Sequence, residues 1–199
     1  LTRFVFNNNR VSAHWISKED GTFCGGELIK ILFQKIDPQI DIQLLIKDGQ
    51  AFKKNQRLLE LTGPSRSLVA GERVTLNVAM HLSGIATTTA LLVSKLSRSN
   101  VKLADTRKTT PGLRVFEKYA FRCGGGINHR LGLDDAAMLK ENHIAWSRGI
   151  SESIKILKKT IPWTKKIIVE AETPSQAKEA VEAGADGVLL DEMSIQAIE

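Results

Sequence analysis

The chain has 199 residues, 42% hydrophobic and 25% charged, an ordinary globular composition with room for one large domain or two small ones. Its net charge of +6 and pI near 9.4 favour anionic ligands: nucleic acid, a membrane surface or phosphorylated metabolites. Cys24 and Cys123 stand far apart and match no metal-ligand spacing, which points to reduced thiols in a cytoplasmic protein more than to a disulfide framework. No signal peptide is expected, and no apolar run approaches the ~18 residues of a membrane span.

In chain order, Val11, Ala13 and Trp15 alternate with polar neighbours, predicting a half-buried strand. "GGELIKILFQKI" predicts a short amphipathic helix. Ile40, Ile42, Leu44 and Ile46 alternate before the Asp48-Gly49 turn, a second strand. "RLLELTGP" reads as another strand, ended by Gly-Pro. The surrounding "IKDGQAFKKNQRLLELTG" has the outline of a lipoyl- or biotinyl-like hairpin. It lacks a Met-Lys-Met target lysine and reads as scaffold. A long helix is predicted from Ser67 to Lys95, with Val74, Val78, Leu82 and Ile85 on one stripe and "SGIATTTA" keeping one side small.

From Asn100 the pattern changes. Short apolar runs, "VKLAD", "AAMLKE", "KKIIVEAE" and "GVLLDE", alternate with helices. In the unit Lys166 to Asp191, Thr173 suits an N-cap, Pro174 the first helical position and Gln176 a capping box, with Gly184 at the C-terminal turn. Such βαβ units in series predict a parallel sheet or barrel.

Charged residues end these strands: Asp105, Arg107 and Lys108, then Lys140, Glu170 and Asp191. In a parallel α/β barrel that face carries the active site. Arg107 offers a planar fork suited to a carboxylate, and Lys108 a point charge suited to a phosphate. The bland alternative is two surface cations in a turn closed by Pro111-Gly112. Gly124, Gly125 and Gly126 permit positive φ or close backbone approach, with His129 and Arg130 as donors directly after. The spacing fits neither a dinucleotide-binding fingerprint nor a P-loop. Lys140 carries its ammonium at the strand's rim, and His143 reads as structural. Glu170 and Asp191, on consecutive strands, suit a shared divalent cation. Glu172 is a rival for Glu170, and the bland reading pairs these acids with Lys108 or Lys140. Arg73, on the long helix, reads alone as a surface charge.

The ordered segments "EDGTFCGG", "GPSRSLVAGERVTLNVAMHLSGIAT", "DTRKTTPGLRVFEKYAFRCGGGINHRLGL", "KENHI" and "AGADGVLLDEMS" cover nearly the whole chain. Together they resemble quinolinate phosphoribosyltransferase, the carboxylating nicotinate-nucleotide pyrophosphorylase. The resemblance implies an α/β fold: an N-terminal α/β sandwich over residues 1–98, then a partial parallel α/β barrel over 99–199. It implies that quinolinate and phosphoribosyl pyrophosphate give nicotinate mononucleotide, carbon dioxide and pyrophosphate with Mg²⁺, a step of de novo NAD synthesis. It places Arg107, His129 and Arg130 on the quinolinate carboxylates, and Lys108 and Lys140 on both substrates and their phosphates. Glu170 and Asp191 are placed on the ribose hydroxyls or the Mg²⁺. Arg73 is expected to reach the partner subunit's pocket, implying at least a homodimer.

"KENH" departs mildly from the family's "KDNH", and Trp146 stands where the family tends to small residues. The chain opens without Met and stops soon after "GVLLDE", so both ends are expected to be cut. The family's usual N-terminal helices and last two barrel strands fall outside it. Two readings compete: a related phosphoribosyltransferase of the molybdenum-transport-associated type, which shares "DTRKT", and a non-catalytic fragment that binds anions or dimerises. Thr110 and "CGGGINHR" favour the quinolinate type. A nucleic-acid module is disfavoured, because the cations cluster at strand ends and the 6% aromatic residues do not interleave with them.

Overall fold

The computed structural model describes Val5 and residues 7–199. The chain divides into two compact units, Leu1–His129 and Arg130–Glu199.

The first unit opens with β1 (Arg10–Ile16) and the two-residue β2 (Gly21–Thr22). Next come helix α1 (Gly26–Ile36), β3 (Asp41–Leu44), β4 (Ala51–Phe52) and β5 (Arg57–Pro64). A long helix, α2 (Ser65–Lys95), and a shorter one, α3 (Arg114–Cys123), complete it. The sheet is antiparallel in the order β1-β5-β3, and β2 pairs with β4. The period-two pattern of Ile40 to Ile46 holds. Ile40 and Ile46 are buried, while Ile42 and Leu44 pack against the same core as Phe23, Ile29, Phe33 and Leu59. The alternation in β1 is weaker than its sequence suggests: Val11 is 40% exposed, and only Trp15 joins the core.

Helix α2 starts two residues before the predicted Ser67. Of the predicted stripe, Leu82 is buried and Val78 and Ile85 pack against its core. Val74 is 45% exposed. The buried stripe is Leu68, Gly71, Thr75, Ala79, Leu82, Ala86 and Thr89. Small residues win these positions because neighbouring elements come close. A Cβ at Gly71 would lie 2.5 Å from Phe33 Cε1, and Thr75 turns its hydroxyl back to the Gly71 carbonyl at 2.8 Å. By length and composition α2 could cross a membrane, its best window having a mean hydropathy of 1.4. This corrects the expectation that no apolar run is long enough. In the first unit it packs on α1, α3, β2 and β5.

"VKLAD" does not form the predicted strand. It makes one parallel bridge, Ala104 to Ile127, held by Ile127 N–H to Leu103 O at 2.9 Å and Asp105 N–H to Ile127 O at 3.2 Å. The ladder stops because the next donor, His129 N–H, turns to the Asp105 carboxylate at 2.8 Å.

The second unit is a parallel sheet in the order β6-β7-β8, formed by β6 (Ala136–Leu139), β7 (Lys166–Ala171) and β8 (Gly187–Leu190). Its helices are α4 (Glu141–Trp146), α5 (Ile150–Thr160), α6 (Pro174–Glu182) and α7 (Ile195–Ile198). Leu139, Ile150, Ile154, Ile167, Val169 and Ala180 form its core. The predicted βαβ unit is present with its caps. Thr173 accepts the Gln176 N–H at 3.2 Å, Pro174 is the first helical residue, and Gly184 has φ +79°. The Gln176 side chain accepts from Glu172 N–H at 2.8 Å, one residue earlier than a capping box requires. The βα pattern of a partial barrel is therefore built as its periodicity predicts.

Candidate active site

In the first unit, "DTRKTTPG" is a structured turn. Lys108 N–H donates to Thr106 Oγ1 at 3.1 Å, and Thr109 N–H to Arg107 O at 3.0 Å. Thr110 N–H donates to Glu117 Oε2 at 3.1 Å, and Arg114 Nε to Thr109 Oγ1 at 3.2 Å. Gly112 closes the turn at φ +79°. Burial pushes the Glu117 carboxyl up, but hydrogen bonds from Thr110 and His81 outweigh it and hold it below the ordinary range. The threonines thus build the turn, leaving its cations to bind. Among the described residues neither Arg107 nor Lys108 has an ion-pair partner, and Arg107 Nε is buried without a hydrogen bond. A buried donor facing no acceptor is costly. A cavity of 320 Å³ in the same unit is lined by Asp105, Thr106, Lys108, Thr109, Glu117 and Lys118 among others.

The Asp105 carboxylate joins this turn to the segment after the glycines. It accepts from Asn128 Nδ2 at 2.6 Å, from His129 N–H, and from the Lys118 ammonium in a buried ion pair. Lys118 also donates to His129 O at 3.0 Å. Residue types and strand-end position pointed to Asp105 but not to Lys118. A signal was present: Arg114, Glu117, Lys118 and Phe121 fall at i, i+3, i+4 and i+7, one face of α3.

The glycine triplet has an internal explanation. A Cβ at Gly124 would sit 2.5 Å from Ala86 O, and one at Gly126 would sit 2.1 Å from Phe121 Cε1. Gly125 has φ +90°. The close approach that glycine permits here is to α2 and α3. Arg73 lies on α2 with its side chain exposed.

In the second unit, Lys140, Glu170 and Asp191 stand at the C-terminal edge of three adjacent strands. Lys140 Nζ is 2.5 Å from Glu170 Oε2. The approach is not aligned as a hydrogen bond, so that buried oxygen is charge-paired yet lacks a donor. This is the bland pairing anticipated for Lys140, with acceptor capacity remaining. Glu172, the rival of Glu170, lies past the end of β7 and is exposed. Asp191 donates its N–H to Ala171 O at 2.9 Å. Arg130 is braced against β6, with Nη1 on Ala136 O at 2.9 Å and Nη2 near Met138 Sδ at 3.6 Å. His143 Nδ1 accepts the Lys140 N–H at 3.2 Å, the structural role expected of it. A 430 Å³ apolar cleft lined by Leu139, Trp146 and Leu157 carries none of the predicted chemistry.

Cys24, Asp48 and Cys123 bring their ligand atoms within 4.8 Å of one another. The Asp48 oxygens are already engaged, Oδ1 by Gly25 N–H at 3.0 Å and Gly26 N–H at 2.9 Å, Oδ2 by Tyr119 OH at 2.9 Å. Burial, then the neighbouring Cys123, pushes the Cys24 thiol far up and keeps it protonated. The cluster therefore braces α1 against α3 through the hydrogen bonds that Asp48 accepts.

Two family models match the chain: quinolinate phosphoribosyl transferase, N-terminal domain, over residues 1–83, and its C-terminal domain over residues 85–199. A Bacillus subtilis protein named probable nicotinate-nucleotide pyrophosphorylase [carboxylating] is 44% identical, the match covering 94% of this chain and 65% of that protein. The crystal structure of NadC from Streptococcus pyogenes superposes with a TM-score of 0.94 at 41% identity, over 100% of this chain and 70% of that one. The nicotinate-nucleotide pyrophosphorylase from Francisella tularensis does so at 0.93 and 38%, over 99% and 69%. The chain thus spans about two thirds of the length of these relatives.

Proposed function

The chain belongs to the quinolinate phosphoribosyltransferase family, and from that premise we propose that it performs that family's reaction. Quinolinate is ribosylated at its ring nitrogen by phosphoribosyl pyrophosphate and loses its 2-carboxylate, giving nicotinate mononucleotide, carbon dioxide and pyrophosphate in de novo NAD synthesis. The observation that carries this reading is Arg107 Nε, a buried donor without a hydrogen bond on a residue with no ion-pair partner among the described residues. Glu170 Oε2 also lacks an aligned hydrogen bond but is ion-paired with Lys140. Both residues are expected to touch substrate.

Quinolinate is a dianion and its cosubstrate a polyanion, so binding both requires several cations. Arg107, His129 and Arg130 are assigned to the quinolinate carboxylates, and Lys108 and Lys140 to the phosphates. Displacement at the anomeric carbon builds positive charge on the ribose. Glu170 and Asp191, as carboxylates, stabilise that charge electrostatically. Holding the ring nitrogen in line with the leaving group lowers the barrier further. Two carboxylates at adjacent strand ends are the donor type that suits a hard, oxygen-seeking ion, though one of them is already ion-paired with Lys140. Bound there, Mg²⁺ would neutralise the pyrophosphate charge.

Arg73, exposed on α2, is assigned to a partner subunit's pocket, making the working form at least a homodimer. The free thiols of Cys24 and Cys123 support a reducing, cytoplasmic location.

The test is turnover. Incubated with quinolinate, phosphoribosyl pyrophosphate and Mg²⁺, the chain is expected to release nicotinate mononucleotide, measured by chromatography. Arg107→Ala and Lys140→Ala are expected to abolish it. Product that persists in both variants would overturn the assignment. An absence of both product and quinolinate binding in the unmodified chain would overturn the function.

A further inference from the structure

The loop that presents Arg107 and Lys108 carries its own carboxylate two residues upstream. Left unpaired, Asp105 would compete with any anionic ligand for those cations. Lys118 removes that competition. Its ammonium is 2% exposed and the Asp105 side chain 8%, and the two form an ion pair. A buried pair of this kind gives little net stability, because desolvation offsets its Coulomb gain. Lys118 also donates to His129 O at 3.0 Å. Asp105 in turn accepts from His129 N–H at 2.8 Å and Asn128 Nδ2 at 2.6 Å. Peptide N–H and C=O of His129 are thus both fastened to one ion pair, and Arg107 follows that pair's carboxylate by two residues.

We propose that Lys118 and Asp105 form a positioning strut that sets the backbone carrying Arg107 against the backbone carrying His129, so that both address one dicarboxylate. This rests on the reading of quinolinate as the ligand. Lys118 acts through Asp105 and His129, and its task is geometric: it fixes the spacing of two donors and neutralises the loop's acid.

The experiment compares the unmodified chain with Lys118→Met, Lys118→Arg and the charge-neutral double variant Asp105→Asn/Lys118→Met. Quinolinate binding is measured by calorimetry well below each melting temperature, and backbone amide exchange without ligand. Lys118→Met is expected to weaken quinolinate binding about tenfold or more, as loss of a charge-assisted anchor does. The His129 amide is expected to lose protection while the β5 amides keep theirs. Lys118→Arg is expected to restore most of the binding. Should Lys118→Met fail to fold, the double variant, which buries no lone charge, carries the test. It is expected to melt near the unmodified chain yet still bind quinolinate about tenfold more weakly. A folded variant that binds quinolinate as tightly as the unmodified chain, or keeps full His129 protection, overturns the strut. If the unmodified chain binds no quinolinate while His129 protection still falls in the variants, the ligand reading is overturned and the mechanical tie stands measured.

Discussion

At the scale of single residues, the site's logic is one of cations kept available. Arg107 Nε is buried without a hydrogen bond, so that donor is shielded from water before any ligand arrives. Truncating one member of such a charge-assisted contact costs about 2–5 kcal/mol. Arg107→Ala should therefore weaken quinolinate affinity by tens- to thousandfold while leaving the melting temperature nearly unchanged. Calorimetry paired with thermal melts checks this. Arg107→Lys should fail to rescue, because a point charge cannot reproduce the planar fork. Glu117 makes a different prediction. Its native pKa is depressed, so the stability it contributes is present above the ordinary carboxylate pKa. That stability is lost as pH falls through the lower native value. Acid melts should show a stability loss below about pH 4.5, and Glu117→Gln should flatten that limb. Residue types at strand ends singled out Arg107, Lys108, Lys140, Glu170 and Asp191 in the sequence as candidates. Lys118 was not, because a buried lysine looks like any surface lysine until its partner, 13 residues away, is placed against it.

At the scale of elements, local chemistry was readable where it was self-contained. The cap Thr173-Pro174 carries its own hydrogen bond, and Thr173→Ala should cost about 1 kcal/mol in denaturant titration. The long helix was legible as a helix and in most of its facing: Leu82 is buried and Val78 and Ile85 pack beside it, while Val74 is exposed. The interface also selects Gly71, Ala79 and Ala86 because other elements lie close. That choice depends on the partner's shape, which periodicity does not encode. The same closeness governs the glycine triplet. Gly124→Ala would place a methyl 2.5 Å from Ala86 O, with no flexible atom to yield. It should destabilise by about 1–3 kcal/mol, read as a fall in denaturation midpoint. "VKLAD" was misjudged as a strand because its alternation says nothing of the neighbouring backbone. There a side-chain carboxylate, not a carbonyl, takes the next N–H.

At the scale of the whole molecule, the chain carries two compact units and a surplus of six positive charges. Its predicted binding residues are distributed over both units. Arg73, Arg107, Lys108 and His129 belong to the first; Arg130, Lys140, Glu170 and Asp191 belong to the second. The α/β class and the parallel βα series followed from periodicity and capping alone. The identity of the ligand did not, since charge selects anions in general and the shape of a dicarboxylate is written only in the relation of several side chains. The account's central claim is the proposed recognition of quinolinate through Arg107. The most direct measurement is calorimetric titration of the chain with quinolinate beside nicotinate, which lacks the 2-carboxylate. Saturable quinolinate binding, at least tenfold tighter than nicotinate, and lost in Arg107→Ala, is the predicted result. Equal affinity for the two, or quinolinate binding unchanged in Arg107→Ala, would contradict it.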